Sequence, residues 1–142
     1  MKILVDADAC PVKEIILSVS KELGIEVIMF VDTAHILNLD GCQVITVDKG
    51  KDSVDMKLGE NIKNGDIVVS QDYGVAALAL LKKAKALNQN GLIFTQDNID
   101  RLLFERYLSQ KARRSGKKTS NPPKRTSEDN IKFEKALRSL CE

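Results

Sequence analysis

The chain has 142 residues, 43% of them hydrophobic, which is enough for one globular domain with a buried core. It has no apolar run of about 18 residues and no N-terminal pattern of a secretory signal, so we expect a cytoplasmic protein that does not contact a membrane. The formal net charge is only +2, but residues 1–100 carry 10 Lys against 15 acids and residues 101–142 carry 12 Lys and Arg against 5 acids, a split that indicates contact with a polyanion.

Five short segments rich in Val and Ile are predicted as strands. In chain order they are KILVDA, IEVIMFVD, CQVITVD, DIVVSQD and GLIFTQD. Each is apolar at consecutive positions rather than at alternating ones, which is typical of a parallel sheet covered on both faces. Helical patterns separate most of these strands, and a repeated strand–helix order predicts right-handed crossovers. The sequence therefore predicts an α/β fold: a three-layer, doubly wound, mostly parallel five-stranded sheet with helices on both faces.

The predicted helices follow apolar spacing of 3.6 residues and recognisable end signals. The first starts at Pro11 and ends at Gly24, as expected for a proline in the first turn and a glycine after the last. The others are predicted over residues 53–62, 73–87, 98 to about 112, and 128–140. The link over 33–40 has room for one helical turn.

The last part of the chain departs from the strand–helix pattern. Residues 113–127 contain Gly, two Pro and several Ser and Thr among basic residues, which predicts a flexible basic loop within a single domain spanning 1–142. The final helix is amphipathic and is predicted to pack through Ile131, Phe133, Leu137 and Leu140.

The cysteines do not form a recognisable site. Cys10, Cys42 and Cys141 are far apart, and His35 is the one histidine, so a zinc site has too few ligands. We expect free thiols. Trp is absent and aromatics are 4%, which argues against a base-stacking sheet of the RNA-recognition type.

Every predicted strand ends in an acid. The residues concerned are Asp6 with Asp8, then Asp32, Asp48, Asp72 and Asp97. Ligands of a parallel α/β sheet bind beyond the carboxyl ends of its strands, so we expect an acidic pocket at that edge. Asp52 and Asp55, three residues apart after the third strand, add to it.

Helix caps and turns are the common alternative use of such acids. A cap role fits Asp32 and Asp97, and a turn role fits Asp48. Asp8 is divided between the pocket and the cap of the helix that starts at Pro11. Asp66 precedes its strand, so it belongs at the opposite edge and has a structural role.

Clustered carboxylates without His or Cys suit Mg²⁺ or Mn²⁺. An acidic cluster with such a metal is the recurrent arrangement for phosphodiester hydrolysis, so a nuclease acting on RNA is the leading hypothesis. The catalytic candidates are Asp6, Asp8, Asp55 and Asp72. The metal-ligand candidates are Asp6, Asp55 and Asp72, with Asp52 in support.

A run of seven cations without an acid lies between positions 106 and 127. Its members are Lys111, Arg113, Arg114, Lys117, Lys118, Lys124 and Arg125. A solvated loop and a nucleic-acid-binding arm both fit such a run. Beside an acidic pocket the arm is favoured, because that pocket repels a polyanion unless cations offset it.

Four stretches together resemble one family over essentially the whole chain: DADACPV, GKDSVDMKL, GDIVVSQDYGVAALAL and the tail pattern SG…NPP…FEKAL. They resemble the uncharacterised bacterial YaiI/YqxD family, which is regarded as PIN-like and related to metal-dependent ribonucleases. The resemblance implies a parallel sheet with an acidic pocket. It places the first PIN carboxylate on Asp6, a middle one on Asp55 or Asp52, and a third on Asp72. A fourth would fall near Asp97, a position that the family does not keep as an acid.

Two other hypotheses remain open from the sequence. ILVDAD fits the local pattern of haloacid-dehalogenase-type phosphatases, with Asp6 as nucleophile and Asp8 as acid. However, ACP follows where Thr or Val is usual, and no later Asp pair follows a strand. The other hypothesis is a non-catalytic nucleic-acid-binding module.

Overall fold

The computed structural model describes residues 1–142 except 9, 33–39, 49–50, 115 and 117–123, and at residues 51 and 52 it describes the backbone alone. The helical turn predicted within 33–40 and most of the predicted basic loop therefore lie outside the described residues. In the described parts the elements are β1 (Lys2–Asp6), α1 (Lys13–Leu23), β2 (Glu26–Asp32), β3 (Gln43–Val47), α2 (Lys51–Asn61), β4 (Ile67–Val69), α3 (Tyr73–Leu81), β5 (Lys85–Leu87), β6 (Ile93–Phe94), α4 (Gln96–Arg114) and α5 (Ser127–Cys141).

One sheet of six strands organises the molecule, in the order β3-β2-β1-β4-β5-β6. Strands β1 to β5 run parallel, and β6 runs antiparallel to β5. At the centre, Val5 of β1 pairs with Met29 of β2 and with Val69 of β4. The predicted α/β architecture with a mostly parallel sheet is confirmed, with six strands in place of the five predicted.

Helices cover both faces of this sheet, as predicted. On one face, α1 and α5 bury Ile16, Val19, Phe133 and Leu137 against the strands. On the other face, α2, α3 and α4 bury a second set, which includes Val54, Leu58, Val75, Ala76, Ala79 and Ile99. Val5 contributes to the first cluster and Leu4 to the second, because neighbouring strand residues point to opposite faces. This double burial explains why the central strands are apolar at consecutive positions.

The strand that the sequence did not predict is β5. The helix predicted over 73–87 ends at Leu81, and Lys83 takes φ +62° before the chain enters the sheet. Lys85 then donates its backbone N–H to the Asp66 carbonyl at 2.8 Å. Ala and Leu favour a helix locally, but three residues of parallel pairing with β4 decide the conformation here.

The direction of β6 corrects the position of Asp97. Because β6 runs antiparallel to β5, its carboxyl end lies at the edge where the parallel strands begin. Asp97 is exposed at that opposite edge, so the prediction that all five strand-end acids share one edge is wrong for it. Its predicted cap role is also wrong: Thr95 Oγ1 accepts from Asn98 N–H at 3.2 Å, and Asn98 Oδ1 accepts from Thr95 N–H at 2.9 Å.

Helix α5 begins with a capping box. Thr126 Oγ1 accepts from the Asp129 backbone N–H, and the Asp129 side chain accepts from the Thr126 backbone. Phe133 and Leu137 are fully buried, whereas Ile131, predicted to pack with them, is 56% exposed. Residues two apart on a helix point in nearly opposite directions, so Ile131 and Phe133 cannot share one face.

Asp66 joins three backbone segments at the edge where the parallel strands begin. Asp66 is 3% exposed. Its carboxylate accepts hydrogen bonds from Lys2 Nζ at 2.6 Å, from the Lys2 backbone N–H at 3.1 Å and from the Lys63 backbone N–H at 2.9 Å. The structural role predicted from its position before the strand is confirmed.

We expect Asp66→Ala to lower the free energy of unfolding by about 2 kcal/mol, because it leaves two backbone donors and a part-buried ammonium without their acceptor. Urea unfolding followed by circular dichroism measures the change. Glu60→Ala is the matched control, since Glu60 is exposed and contacts only Lys57 among the ion pairs of the described residues, at 3.9 Å. Equal stability for both variants would contradict the structural role.

No helix in the described ranges has both the length and the apolar character needed to cross a membrane.

Candidate functional site

The candidate site lies where the strand order reverses. From β1 the chain moves to one side through β2 and β3, and then returns to place β4 on the other side of β1. The carboxyl ends of β1 and β4 therefore flank a topological switch point, where doubly wound sheets form their ligand crevice. Asp6 ends β1, and Ser70 and Asp72 follow β4.

Ser70 links the two predicted metal ligands on either side of this point. Its Oγ donates to Asp6 Oδ2 at 3.4 Å and accepts from the Asp72 backbone N–H at 3.0 Å. Ser70 is only 4% exposed, so the link is shielded from water. One buried hydroxyl thus joins the Asp6 carboxylate to the backbone of Asp72.

Asp72 also caps a helix, the role that the sequence analysis considered for Asp32 and Asp97. Its Oδ1 accepts from the backbone N–H groups of Gly74 at 2.8 Å and Val75 at 3.1 Å, at the start of α3. These two hydrogen bonds fix the orientation of the Asp72 carboxylate at the start of α3.

Asp8 and Asp55 are half-buried, and in each of them the Oδ1 atom is shielded from solvent. Asp8 follows Ala7, whose N–H still bonds to Phe30 O at 3.0 Å beyond the end of β1. Helix α1 has Val12 at its cap position, with no cap hydrogen bond from that side chain. Asp55 lies in the second turn of α2, which packs over β1 and β2 from the edge where β3 ends.

The remaining strand-end acids are more peripheral. Asp32 ends β2 and is half-buried, and Asp48 follows β3 and is exposed. The residues after each of them, including His35, lie outside the described ranges, as does the side chain of Asp52. The cap and turn alternatives for Asp32 and Asp48 therefore stay open.

The donor chemistry suits a hard divalent cation, because every candidate ligand atom at the switch point is oxygen. Within the described residues, no three His, Cys, Asp or Glu side chains are grouped closely enough to hold a metal. Mg²⁺ commonly binds through one or two carboxylates and completes its shell with water and substrate phosphate. Asp6 and Asp72 would supply two such carboxylates, Asp55 and Asp52 stay predicted ligands, and Asp8 stays a catalytic candidate.

Cys10 does not offer a nucleophile to the site. It is half-buried against the core beside α1, and burial raises the pKa of its thiol, an effect partly offset by a hydrogen bond with the Val12 backbone. Burial also raises the pKa of Cys42 and Cys141. All three are free thiols, as predicted, and stay protonated at neutral pH.

A cleft of about 500 Å³ opens beside Asp72, between the start of α3 and the second half of α4. Its lining consists of Gln71, Asp72, Tyr73, Leu102, Glu105, Arg106, Ser109, Gln110 and Arg113. The reversed direction of β6 is the cause: α4 starts at the far edge and runs back toward the carboxyl ends of the parallel strands. The Arg106 guanidinium lies 6.0 Å from the centroid of the Tyr73 ring, within cation–π range.

Sequence reasoning did not single out Arg106, Gln71 or Glu105. Arg106 falls just before the acid-free basic run, and its relevance depends on α4 lying next to Asp72.

The predicted nucleic-acid-binding cations divide into three groups. Arg113, Arg114 and Lys111 are exposed in the last turns of α4, which extends two residues past its predicted end. Lys124 is exposed just before α5, and Lys117 and Lys118 lie outside the described residues. Arg125 has a structural role: its guanidinium donates to Asn130 Oδ1, Asn90 Oδ1 and Gln89 O at 2.9, 2.6 and 2.7 Å.

Comparison with known proteins finds a matching family model, similar sequences and a similar solved structure. A family model described as "Uncharacterized BCR, YaiI/YqxD family" matches residues 4–142. A UPF0178 protein of Ruminiclostridium cellulolyticum is 61% identical over 137 residues, covering 96% of this chain and 90% of the relative. A UPF0178 protein of Clostridium kluyveri is 54% identical over 140 residues, covering 99% and 92%. Among solved structures, Rae1 (YacP) from Bacillus subtilis (W164L mutant) aligns with a TM-score of 0.49 and 19% identity, covering 99% of this chain and 98% of that one.

Proposed function

The chain belongs to the YaiI/YqxD family, whose members are uncharacterised. We propose that it is a divalent-metal-dependent nuclease that hydrolyses phosphodiester bonds in RNA. The observation that carries the proposal is the Asp6–Ser70–Asp72 arrangement at the switch point of the sheet, beside a cleft walled by Arg106 and Arg113.

Asp6 and Asp72 are the residues that would hold Mg²⁺ or Mn²⁺. Ser70 orients them, because it bonds to the Asp6 carboxylate and to the Asp72 backbone. Asp55 and Asp8 would complete the acidic pocket, together with Asp52. When bound, such an ion activates water as a nucleophile and neutralises charge on the phosphate.

The cations across the cleft would offset repulsion between the acidic pocket and the RNA. Arg106 and Arg113 line the wall that faces Asp72, and Lys111 and Arg114 extend the same helix end. These cations would hold phosphates of the RNA backbone, so that one phosphodiester lies beside Asp6 and Asp72. Lys117, Lys118 and Lys124 would prolong this contact along the backbone.

We expect the purified protein to cleave labelled RNA when Mg²⁺ or Mn²⁺ is supplied, to lose that activity in chelator and to regain it with excess metal. Denaturing gels of the products measure cleavage, and calorimetric titration measures metal binding directly. The proposal would be refuted if these assays detect no cleavage and no metal binding. A phosphoryl group trapped on Asp6 would instead identify the phosphatase, and metal-independent binding without cleavage would identify the non-catalytic module.

A further inference from the structure

The outer side of α4 exposes a patch of large apolar side chains. Leu103, Phe104, Tyr107 and Leu108 are 37%, 59%, 55% and 48% exposed, and we call these four residues the aromatic face. The rings of Phe104 and Tyr107 are stacked, with centroids 6.5 Å apart and planes inclined by 27°. Ile99 is the one buried residue of this helix, so its second half contributes little to the core. An exposed patch of this kind usually marks an interaction surface.

Charge indicates what covers this face. From residue 103 to 114, α4 carries four cations, Arg106, Lys111, Arg113 and Arg114, against Glu105 as the one acid. Lys111 and Arg114 lie four and seven residues after Tyr107, so they share its side of the helix. A second copy packed against the aromatic face would bring these two cations against their counterparts, and like charges across an interface are costly. A polyanion with flat apolar groups suits both features, and a nucleic-acid strand has that chemistry.

The aromatic face and the candidate site lie on different sides of the same helix. Arg106 is two residues from Phe104, so it points to nearly the opposite side of α4, where it lines the cleft beside Asp72. A strand that crosses the aromatic face would pass around the end of α4, where Lys111, Arg113 and Arg114 are exposed, to reach this cleft. A duplex would keep its bases stacked inside and could not present them to exposed rings.

We propose that the aromatic face is a stacking platform for single-stranded nucleic acid, with bases on Phe104 and Tyr107 and phosphates near Lys111 and Arg114. The proposal rests on the proposed function, because it names single strands as the substrate class of that site. The low aromatic content argues against a base-stacking sheet of the RNA-recognition type. The platform proposed here is different, because its stacking surface is one helix.

The test is binding of fluorescent single-stranded RNA, measured by anisotropy in the Asp6→Asn background so that cleavage does not interfere. We expect Phe104→Ala/Tyr107→Ala to weaken single-strand binding about tenfold or more. Binding of a duplex of the same sequence is expected to be weaker in the parent and to change little in the variant. Leu81→Ala is the matched control, because Leu81 is 77% exposed on α3, away from this face.

A second pair of measurements separates stacking from simple apolar contact. Phe104→Leu/Tyr107→Leu keeps apolar area but removes the rings, so it should lose affinity almost as the alanine variant does. The chain has no Trp and two Tyr, so Tyr73→Phe makes Tyr107 the one tyrosine that reports fluorescence quenching by bound RNA. Full affinity in the leucine variant, or no quenching, would overturn the proposal.

The outcomes distinguish this proposal from the proposed function. Binding that depends on the rings, in a protein that never cleaves, would uphold the platform and refute the nuclease. Cleavage and binding that are both indifferent to the rings would refute the platform and leave the nuclease standing. The platform proposal would also be overturned if the protein sediments as a dimer and Phe104→Ala makes it a monomer. The aromatic face would then be an interface between copies.

Discussion

Asp6→Asn is expected to lower metal-dependent RNA cleavage by about a hundredfold or more, because a lost metal contact removes several kcal/mol of transition-state stabilisation. Asp6 ends the central strand of the sheet and is joined to Asp72 through Ser70, so the substitution acts at the centre of the proposed site. Asparagine keeps the size and one oxygen while removing the charge. Initial rates of cleavage under excess metal measure the change.

RNA binding provides the second readout for Asp6→Asn. Removing a negative charge beside a polyanion should leave the affinity unchanged or raise it. Asp97→Asn is the matched control, because it makes the same charge change at an exposed position on the opposite edge of the sheet. Cleavage that survives in Asp6→Asn, or that falls equally in Asp97→Asn, would remove the basis for placing the reaction at the switch point.

Gly91→Ala is expected to destabilise the fold by about 2–5 kcal/mol, through strain at positive φ together with overpacking. Gly91 has φ +87°, and a Cβ at this position would lie 2.6 Å from the carbonyl oxygen of Lys132 and 3.0 Å from the backbone nitrogen of Phe133. These are backbone atoms of α5, which cannot rotate away as a side chain can. Thermal and urea unfolding followed by circular dichroism measure the loss.

Gly65→Ala separates the two causes. Gly65 has the same φ of +87°, but a Cβ there would meet nothing within 4 Å. Its cost should therefore be strain alone, about 1–2 kcal/mol. The excess loss in Gly91→Ala measures the close approach of the β5–β6 turn to α5. If both variants lose the same free energy, the turn is not held against α5 as the structure has it.

The turn that contains Gly91 also makes structural contacts with Arg125, one of the predicted RNA contacts. Arg125, just before α5, donates to Gln89 O and Asn90 Oδ1 in this turn, and so ties it to the start of the helix. In the sequence Arg125 is the last cation of a basic run and looks like its neighbours. Only the approach of two distant segments shows that its guanidinium holds backbone and side-chain acceptors.

The elements that the sequence predicted well are those with a long local pattern. Strands β1 and β2 each present consecutive buried apolar residues, and Gly24 ends α1 with φ +68° as expected. The structural role of Asp66 followed from its place before a strand. In these cases a local sequence pattern is enough to predict the structure, because a strand buried on both faces or a helix end requires particular residues at that place in the chain.

Strand β5 and the direction of β6 were beyond that kind of reasoning. Strand β5 has three residues, too few to show a period of its own, and the residues of β6 predict a strand without indicating its direction. Pairing with neighbouring strands decides both features. Because β6 pairs antiparallel to β5, Asp97 lies at the far edge of the sheet and Arg106 lies in the same cleft as Asp72. The contact of Ser70 with Asp6 joins residues 64 positions apart, which no local pattern reports.

The sequence by itself determined the fold class, the family, and the acids at the carboxyl ends of the parallel strands. Hydrophobic periodicity and helix-end residues act locally, so they can be read in chain order. Only the tertiary structure decided which of those acids stand together, which one caps a helix, and which cations face them. Those properties depend on strand direction and on contacts between distant segments, and they are set by the free energy of packing the whole chain.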